Sequence, residues 1–147
     1  MGPAGVDGLI IPDLPPEEAQ EMIDVAARHR LSLVFLIAPT TADARIRMID
    51  SLSTDFSYCV SVTGVTGSRP GLGQDDDLDG FLQRVRRTVI KRFVVGFGIS
   101  TPEQITAVCR HADGAVVGSA LIRAMAGASS AGQAAALGAE FFATLRP

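Results

Sequence analysis

Residues 93–104 read FVVGFGISTPEQ, and the order of chemistry within that stretch decides the fold. Phe93 to Phe97 is a continuous apolar run, the composition of a strand covered on both faces. Gly96 and Gly98 then allow a tight turn. Ser100 with Glu103, or Thr101 with Gln104, spells a capping box, and Pro102 falls in the first turn of the helix that follows. Strand, glycine turn and capped helix in this order make one βα unit. Outward from it the same unit recurs. Gly8–Pro12, Leu33–Ala38, Phe56–Val62 and Gly114–Val117 are further short apolar runs, each followed by an amphipathic stretch. Five βα units in series require a mostly parallel sheet, so the fold class is α/β.

The intervening helices carry start signals and core faces. Pro15 and Pro16 precede Glu17 and Glu18, which suits a first helical turn. Thr40 and Thr41 are placed to cap a helix whose inner face is Ile46, Ile49 and Leu52. Leu78, Phe81, Leu82, Val85 and Val89 follow helical spacing in a third. Ile105, Val108 and Cys109 give the fourth its core face, and a last segment from Ala134 to Leu145 buries Leu137, Phe141 and Leu145. Gly5-Val-Asp-Gly8 and His111-Ala-Asp-Gly114 echo each other, each setting an Asp-Gly turn before a strand. The chain reads as a single domain over residues 1–147, with no linker or low-complexity segment. Residues 63–77, rich in Gly and Asp, exceed the roughly 2–6 residues of an ordinary βα loop and have the character of a lid.

Composition excludes several classes of function. Apolar residues make up 47% of the chain and the net charge is −3, so neither disorder nor a nucleic-acid footprint is expected. Arg84, Arg86, Arg87, Lys91 and Arg92 cluster at a helix end, where cations complement the dipole. Cys59 and Cys109 lack ligand spacing and read as buried reduced thiols. Asp75, Asp76 and Asp77 suit a solvated helix start better than a metal site, and His29 and His111 read as surface histidines at helix ends. Met-Gly-Pro-Ala has no basic region followed by a long apolar one, so no signal peptide is expected. A cytoplasmic protein is the resulting expectation.

Two architectures suit five βα units: a small open doubly wound sheet, or part of an eight-stranded barrel. Gly96 to Ser100 and Val117-Gly118-Ser119-Ala120 follow consecutive terminal strands, and each leads into a helix. Glycine there lets a ligand approach the backbone, and helix amides attract an anion. In eightfold barrels the loops after the last two strands frequently build a phosphate site. The pair therefore favours phosphate binding over simple turn chemistry. A third motif, Ser61-Val-Thr-Gly64-Val-Thr-Gly67-Ser-Arg69, supplies small and hydroxyl-bearing residues at the start of the long loop.

Taken with Gly5 to Glu18 and Leu36-Ile-Ala-Pro-Thr-Thr41, these motifs recur in the same order in the tryptophan synthase α subunit, which the chain resembles from about Gly5 to near its C-terminus. The resemblance implies a TIM (βα)8 barrel, here a partial barrel of about five βα units. It implies reversible cleavage of indole-3-glycerol phosphate to indole and glyceraldehyde 3-phosphate. It also implies a partner β subunit that carries the pyridoxal phosphate, with no cofactor or metal on this chain. Carried over by position, Gly67, Gly98, Gly118 and Ser119 would hold the substrate phosphate. Phe97 and Tyr58 would line the pocket around the rest of the substrate, and Thr66 would act in lid closure. The family's catalytic Glu and Asp, in a Glu-x-Gly-x-Pro-Phe-Ser-Asp-Pro context, have no counterpart in these 147 residues, and Asp13 is no convincing substitute. The chain alone is therefore expected to be inactive, and its open barrel edges to self-associate. The alternative reading is a non-catalytic phosphate-ligand or partner-binding module derived from the same barrel.

Overall fold

The computed structural model describes residues 5–61, 75–96 and 98–146, with the side chains of residues 75–77 outside that description. The described strands are β1 (Gly8–Ile10), β2 (Ser32–Val34), β3 (Leu36–Ile37), β4 (Phe56–Val60), β5 (Arg92–Gly96) and β6 (Gly114–Ala115). The helices are α1 (Gln20–Arg28), α2 (Asp43–Leu52), α3 (Asp75–Thr88), α4 (Pro102–Cys109), α5 (Ser119–Met125) and α6 (Ala131–Thr144). A 3-10 turn at Pro16–Glu18 leads into α1, so the two prolines start that turn and not the α-helix itself.

The run Leu33–Ala38 serves two neighbours with different parts of its length. β2 pairs with β1, and β3 pairs with β4, both in parallel. Phe35 lies between them, and its carbonyl accepts the Tyr58 amide at 3.1 Å. One strand that hands over from one partner to the next is what a staggered, curving sheet requires. Beyond it the order runs β3-β4-β5-β6, every pair parallel. Spatial order thus follows chain order without a reversal. Since parallel crossovers are right-handed, sequential order sends every helix to the same face, whereas a doubly wound sheet must reverse. This decides for the barrel.

The helix-covered face is the core. Leu33, Phe35, Ile37, Cys59, Phe93 and Val95 meet Ile46 and Ile49 of α2, Phe81, Leu82 and Val85 of α3, and Val108 of α4. Each fully buried large side chain contributes about 1.5–3 kcal/mol by leaving water. Cys109, expected on this face, is exposed instead, while Cys59 is buried. The α4 face turns so that Val108 takes the core position, a rotation of one residue that hydrophobic spacing over eight residues resolves poorly. In α6 Gly138 is buried and Leu137 and Phe141 are half-buried, and Leu145, the residue that ends the helix, is buried too.

Charged residues tie the lower, N-terminal ends of the strands together. Asp50, only 4% exposed, accepts the amides of Ile90 (2.9 Å) and Lys91 (3.4 Å) and the Ser57 hydroxyl (3.5 Å). Lys91 donates from Nζ to the carbonyls of Ser51, at 3.1 Å, and Ser53. Arg86 donates to the His111 carbonyl and the Asp113 carboxylate, both at 2.7 Å, and its guanidinium lies 4.6 Å from the Phe93 ring centroid. Arg86 and Lys91 of the basic cluster are thus long-range ties, a more specific role than the helix-dipole one expected from the sequence. His111, likewise, does not simply face solvent: its Nε2 lies 2.7 Å from Asp79 Oδ1 and ties the segment after α4 to α3. Among the described residues no helix is long and apolar enough to cross a membrane.

Candidate functional site

Ligands of barrel proteins collect at the carboxyl ends of the strands. Five segments meet there: residues 11–16 after β1, 38–42 after β3, Ser61 after β4, 98–101 after β5 and 116–119 after β6. Of the expected site residues, Tyr58, Gly98, Gly118 and Ser119 are described. Thr66, Gly67 and Phe97, and all of the long loop except the first residues of α3, lie outside the described residues.

Tyr58 lies on the face of the sheet opposite the helices. Register sets Leu36, Tyr58, Val94 and Gly114 side by side across four strands on this inner face. The Tyr58 ring leans over the backbone of Gly96. A Cβ on Gly96 would sit 1.7 Å from the Tyr58 hydroxyl and 2.4 Å from Cζ, so only glycine leaves room for the ring. Tyr58 is 9% exposed, and burial pushes its phenol above the ordinary value. Ser61 closes the end of β4. Its amide and its hydroxyl both donate to the Gly96 carbonyl, at 3.0 and 2.8 Å.

After β5 the chain turns through Gly98 at φ +91°, a conformation that side chains resist. Ile99 is buried, and the two capping schemes open in the sequence resolve to Thr101 with Gln104. Gln104 Oε1 accepts the Thr101 amide at 3.2 Å and also the Ser100 amide at 2.8 Å, while Thr101 Oγ1 accepts the Gln104 amide at 3.3 Å. After β6, the Val116 amide donates to the Val95 carbonyl at 2.7 Å, and this bond carries the chain to Gly118. Gly118 is the N-cap of α5, and no side chain caps that helix. Gly98, Gly118 and Ser119 are all exposed and follow adjacent strands. The free amides of an uncapped first turn beside a glycine corner can donate to the oxygens of an anion.

On the opposite side of the mouth, Ile11 to Pro16, Leu36 and Arg45 line an open cleft of about 250 Å³. Asp13 is among its lining residues, and Arg45 forms an ion pair with Glu17. The loop after β3 is held by a bond from the Ala38 amide to Thr41 Oγ1, at 3.0 Å, and by Arg84 reaching across from α3. Thr41 is therefore not the cap of α2. Ala42 is the N-cap, and it has no side-chain acceptor. Sequence reading missed Arg84, because nothing in local spacing announces a partner some forty residues away. It missed Leu36 as a lining residue for the same reason. Among the residues whose side chains are described, no cluster of His, Cys, Asp and Glu could hold a metal ion.

Comparison with known proteins agrees with this geometry. The sequence profile of the family described as "Tryptophan synthase alpha chain" matches residues 1–144. The chain is 52% identical over 145 residues to the tryptophan synthase alpha chain of Prosthecochloris aestuarii, covering 97% of this chain and 54% of that one. It is 50% identical to that of Chlorobium limicola, with the same coverage. The structure superposes on a chain of the tryptophan synthase a2b2 complex of Pyrococcus furiosus with a TM-score of 0.81 at 33% identity, over 98% of this chain and 57% of that one. For tryptophan synthase from M. tuberculosis the TM-score is 0.75 at 30% identity, over 99% and 53%. The chain spans about half the length of the curated relatives it matches. Strand order, glycine corners and family match converge: the chain belongs to the tryptophan synthase alpha chain family.

Proposed function

We propose that these 147 residues form the phosphate-binding part of a barrel that cleaves indole-3-glycerol phosphate to indole and glyceraldehyde 3-phosphate. The observation that carries the reading is the pair of exposed glycine corners, Gly98 and Gly118-Ser119, on adjacent strands at the ligand end of the barrel. Backbone amides there would hold the phosphate. Tyr58 and Phe97 would line the pocket for the rest of the substrate, with Gly67 and Thr66 contributing from the loop after Ser61. The partner is a β subunit, in keeping with the a2b2 complex named for the Pyrococcus furiosus relative. Pyridoxal phosphate would belong to that subunit, and this chain would need no cofactor. The cytoplasm is the compartment proposed.

Cleavage needs one group to protonate the indole ring carbon and another to take protons from the indole nitrogen and the glycerol hydroxyl. The family's Glu and Asp motif is not among these residues. The 147-residue chain alone is therefore expected to release no indole and to associate through its open strand edges. A separately expressed segment carrying that motif should restore turnover, read as indole released from indole-3-glycerol phosphate. Turnover by the chain alone would refute the assignment of acid and base to absent residues, and Asp13 would become the first candidate.

A further inference from the structure

We propose that Arg84 is a positioning residue that sets the shape of the cleft between β1, β3 and α2. The proposal rests on reading this end of the barrel as the ligand face, and names a residue outside the phosphate site that governs it. Leu36 on β3 and Arg45 on α2 both line the cleft, and residues 38–42 join them. The loop closes on itself through a bond from the Thr41 amide to the Ala38 carbonyl at 2.9 Å. The α2 N-cap is Ala42, without a side-chain acceptor, and the Thr41 hydroxyl is engaged by the Ala38 amide at 3.0 Å. Arg84 adds a restraint from outside the loop, on α3. Its Nη2 donates to the Pro39 carbonyl at 2.7 Å, and its Nη1 donates to the Thr41 carbonyl at 2.7 Å and to Asp43 Oδ1 at 3.0 Å.

A simple surface ion pair would need Asp43 alone. Two carbonyls of one loop, taken by the two ends of one planar guanidinium, specify the loop's conformation as well as its charge environment. The guanidinium also lies 5.6 Å from the ring centroid of buried Phe81, which narrows the rotamers open to it. The separation of Leu36 from Arg45, and so the width of the cleft, is thereby tied to α3. Ile11, Leu14 and Leu36 wall the cleft beside the polar Asp13 and Arg45, so it suits a flat ring that carries a polar N–H.

The chain contains no Trp and a single Tyr, so fluorescence of added indole reports on the probe with little background. Arg84→Met and Arg84→Lys are compared with the unaltered chain by that signal, by thermal midpoint and by amide exchange. The informative amides are Ala38, Thr41 and Ile46, whose acceptors lie in or beside the loop. Arg84→Met is expected to speed their exchange about tenfold and to leave the β4–β5 ladder unchanged, since only a local opening is affected. Indole binding should weaken about fivefold as the cleft loses its preset shape. Arg84→Lys keeps a charge opposite Asp43, but one ammonium cannot bridge both carbonyls. It should therefore restore the midpoint and leave loop exchange fast. Unchanged exchange in Arg84→Met, or slow loop exchange in Arg84→Lys, overturns the proposal. If indole fails to bind the unaltered chain, the ligand reading of the cleft falls, and the exchange data still decide the role of Arg84.

Discussion

One methyl group added to Gly96 should force Tyr58 off the inner face of the barrel. The added Cβ would lie 1.7 Å from the phenol oxygen, 2.4 Å from Cζ and 2.9 Å from Cε1, all far inside contact distance. The backbone cannot yield, because β4 and β5 are locked in register from Phe56 to Val60 and Ser61 grips the Gly96 carbonyl twice. The ring must move. Overpacking of this kind costs about 1–3 kcal/mol, and Gly96→Ala belongs at the upper end because the clash is with ring atoms on a fixed strand. Tyr58→Ala alone should cost about 3 kcal/mol for a lost buried aromatic ring. In the Tyr58→Ala background the methyl enters vacated space, so Gly96→Ala should cost nearly nothing. The coupling energy is then about 3 kcal/mol, well above the scatter between independent sites. Tyr58→Phe removes the contact with the phenol oxygen but should give only partial relief, since Cζ at 2.4 Å and Cε1 at 2.9 Å remain. Urea unfolding of the four chains, followed by far-ultraviolet circular dichroism, measures the cycle. An equal cost of Gly96→Ala in both backgrounds would refute the argument that the ring dictates glycine.

Other consequences can be checked directly. Ser119→Asp sets a negative charge at the uncapped start of α5, so the affinity for glycerol phosphate measured by calorimetry should collapse; unchanged affinity would remove Ser119 from the phosphate site. Burial works to raise the Asp113 carboxyl, but the Phe93 amide and Arg86 outweigh it and hold it below the ordinary value. A depressed folded value means stability that is present above about pH 4 and lost as the pH falls below it, so Asp113→Asn should flatten the acid limb of the stability profile. Solvent screening limits the effect at neutral pH to about 1 kcal/mol, and an identical acid limb in the variant would count against the tie. Burial pushes the Cys59 thiol up to about 12 even with Arg86 opposing, whereas Cys109 is exposed. At pH 8 a thiol reagent should label Cys109 alone in the folded chain, and rapid labelling of Cys59 would contradict its packing.

The unit order was legible because each unit carries its own punctuation. An apolar run, a glycine corner and Thr101-Pro102 at a helix start need no information from elsewhere in the chain. The helix faces were legible to within a residue, which is why Val108 was placed correctly and Cys109 was not. Pairing was not legible. Leu33–Ala38 reads as one strand, and its handover at Phe35 depends on the stagger of both neighbours. The same limit hid Arg84 and Arg86, since a guanidinium's distant carbonyl partners leave no local trace. Gly96 was singled out for the turn it precedes, yet the reason only glycine fits is a ring on the next strand.

Asp50 sits at the foot of the barrel, and its distance from the glycine corners has an evolutionary consequence. At that end carboxylates and cations are consumed in holding loops, as Asp50 holds the amides of Ile90 and Lys91. At the other end, glycine backbone and an uncapped helix turn are left open. Substitutions at the foot should therefore change how long the chain survives, and substitutions at the mouth what it recognises. Lineages can drift toward heat or cold by trading ties around Asp50 without retuning the mouth. The mouth, in turn, can take on a new ligand while keeping the rigidity given by the foot and by the Arg84 brace.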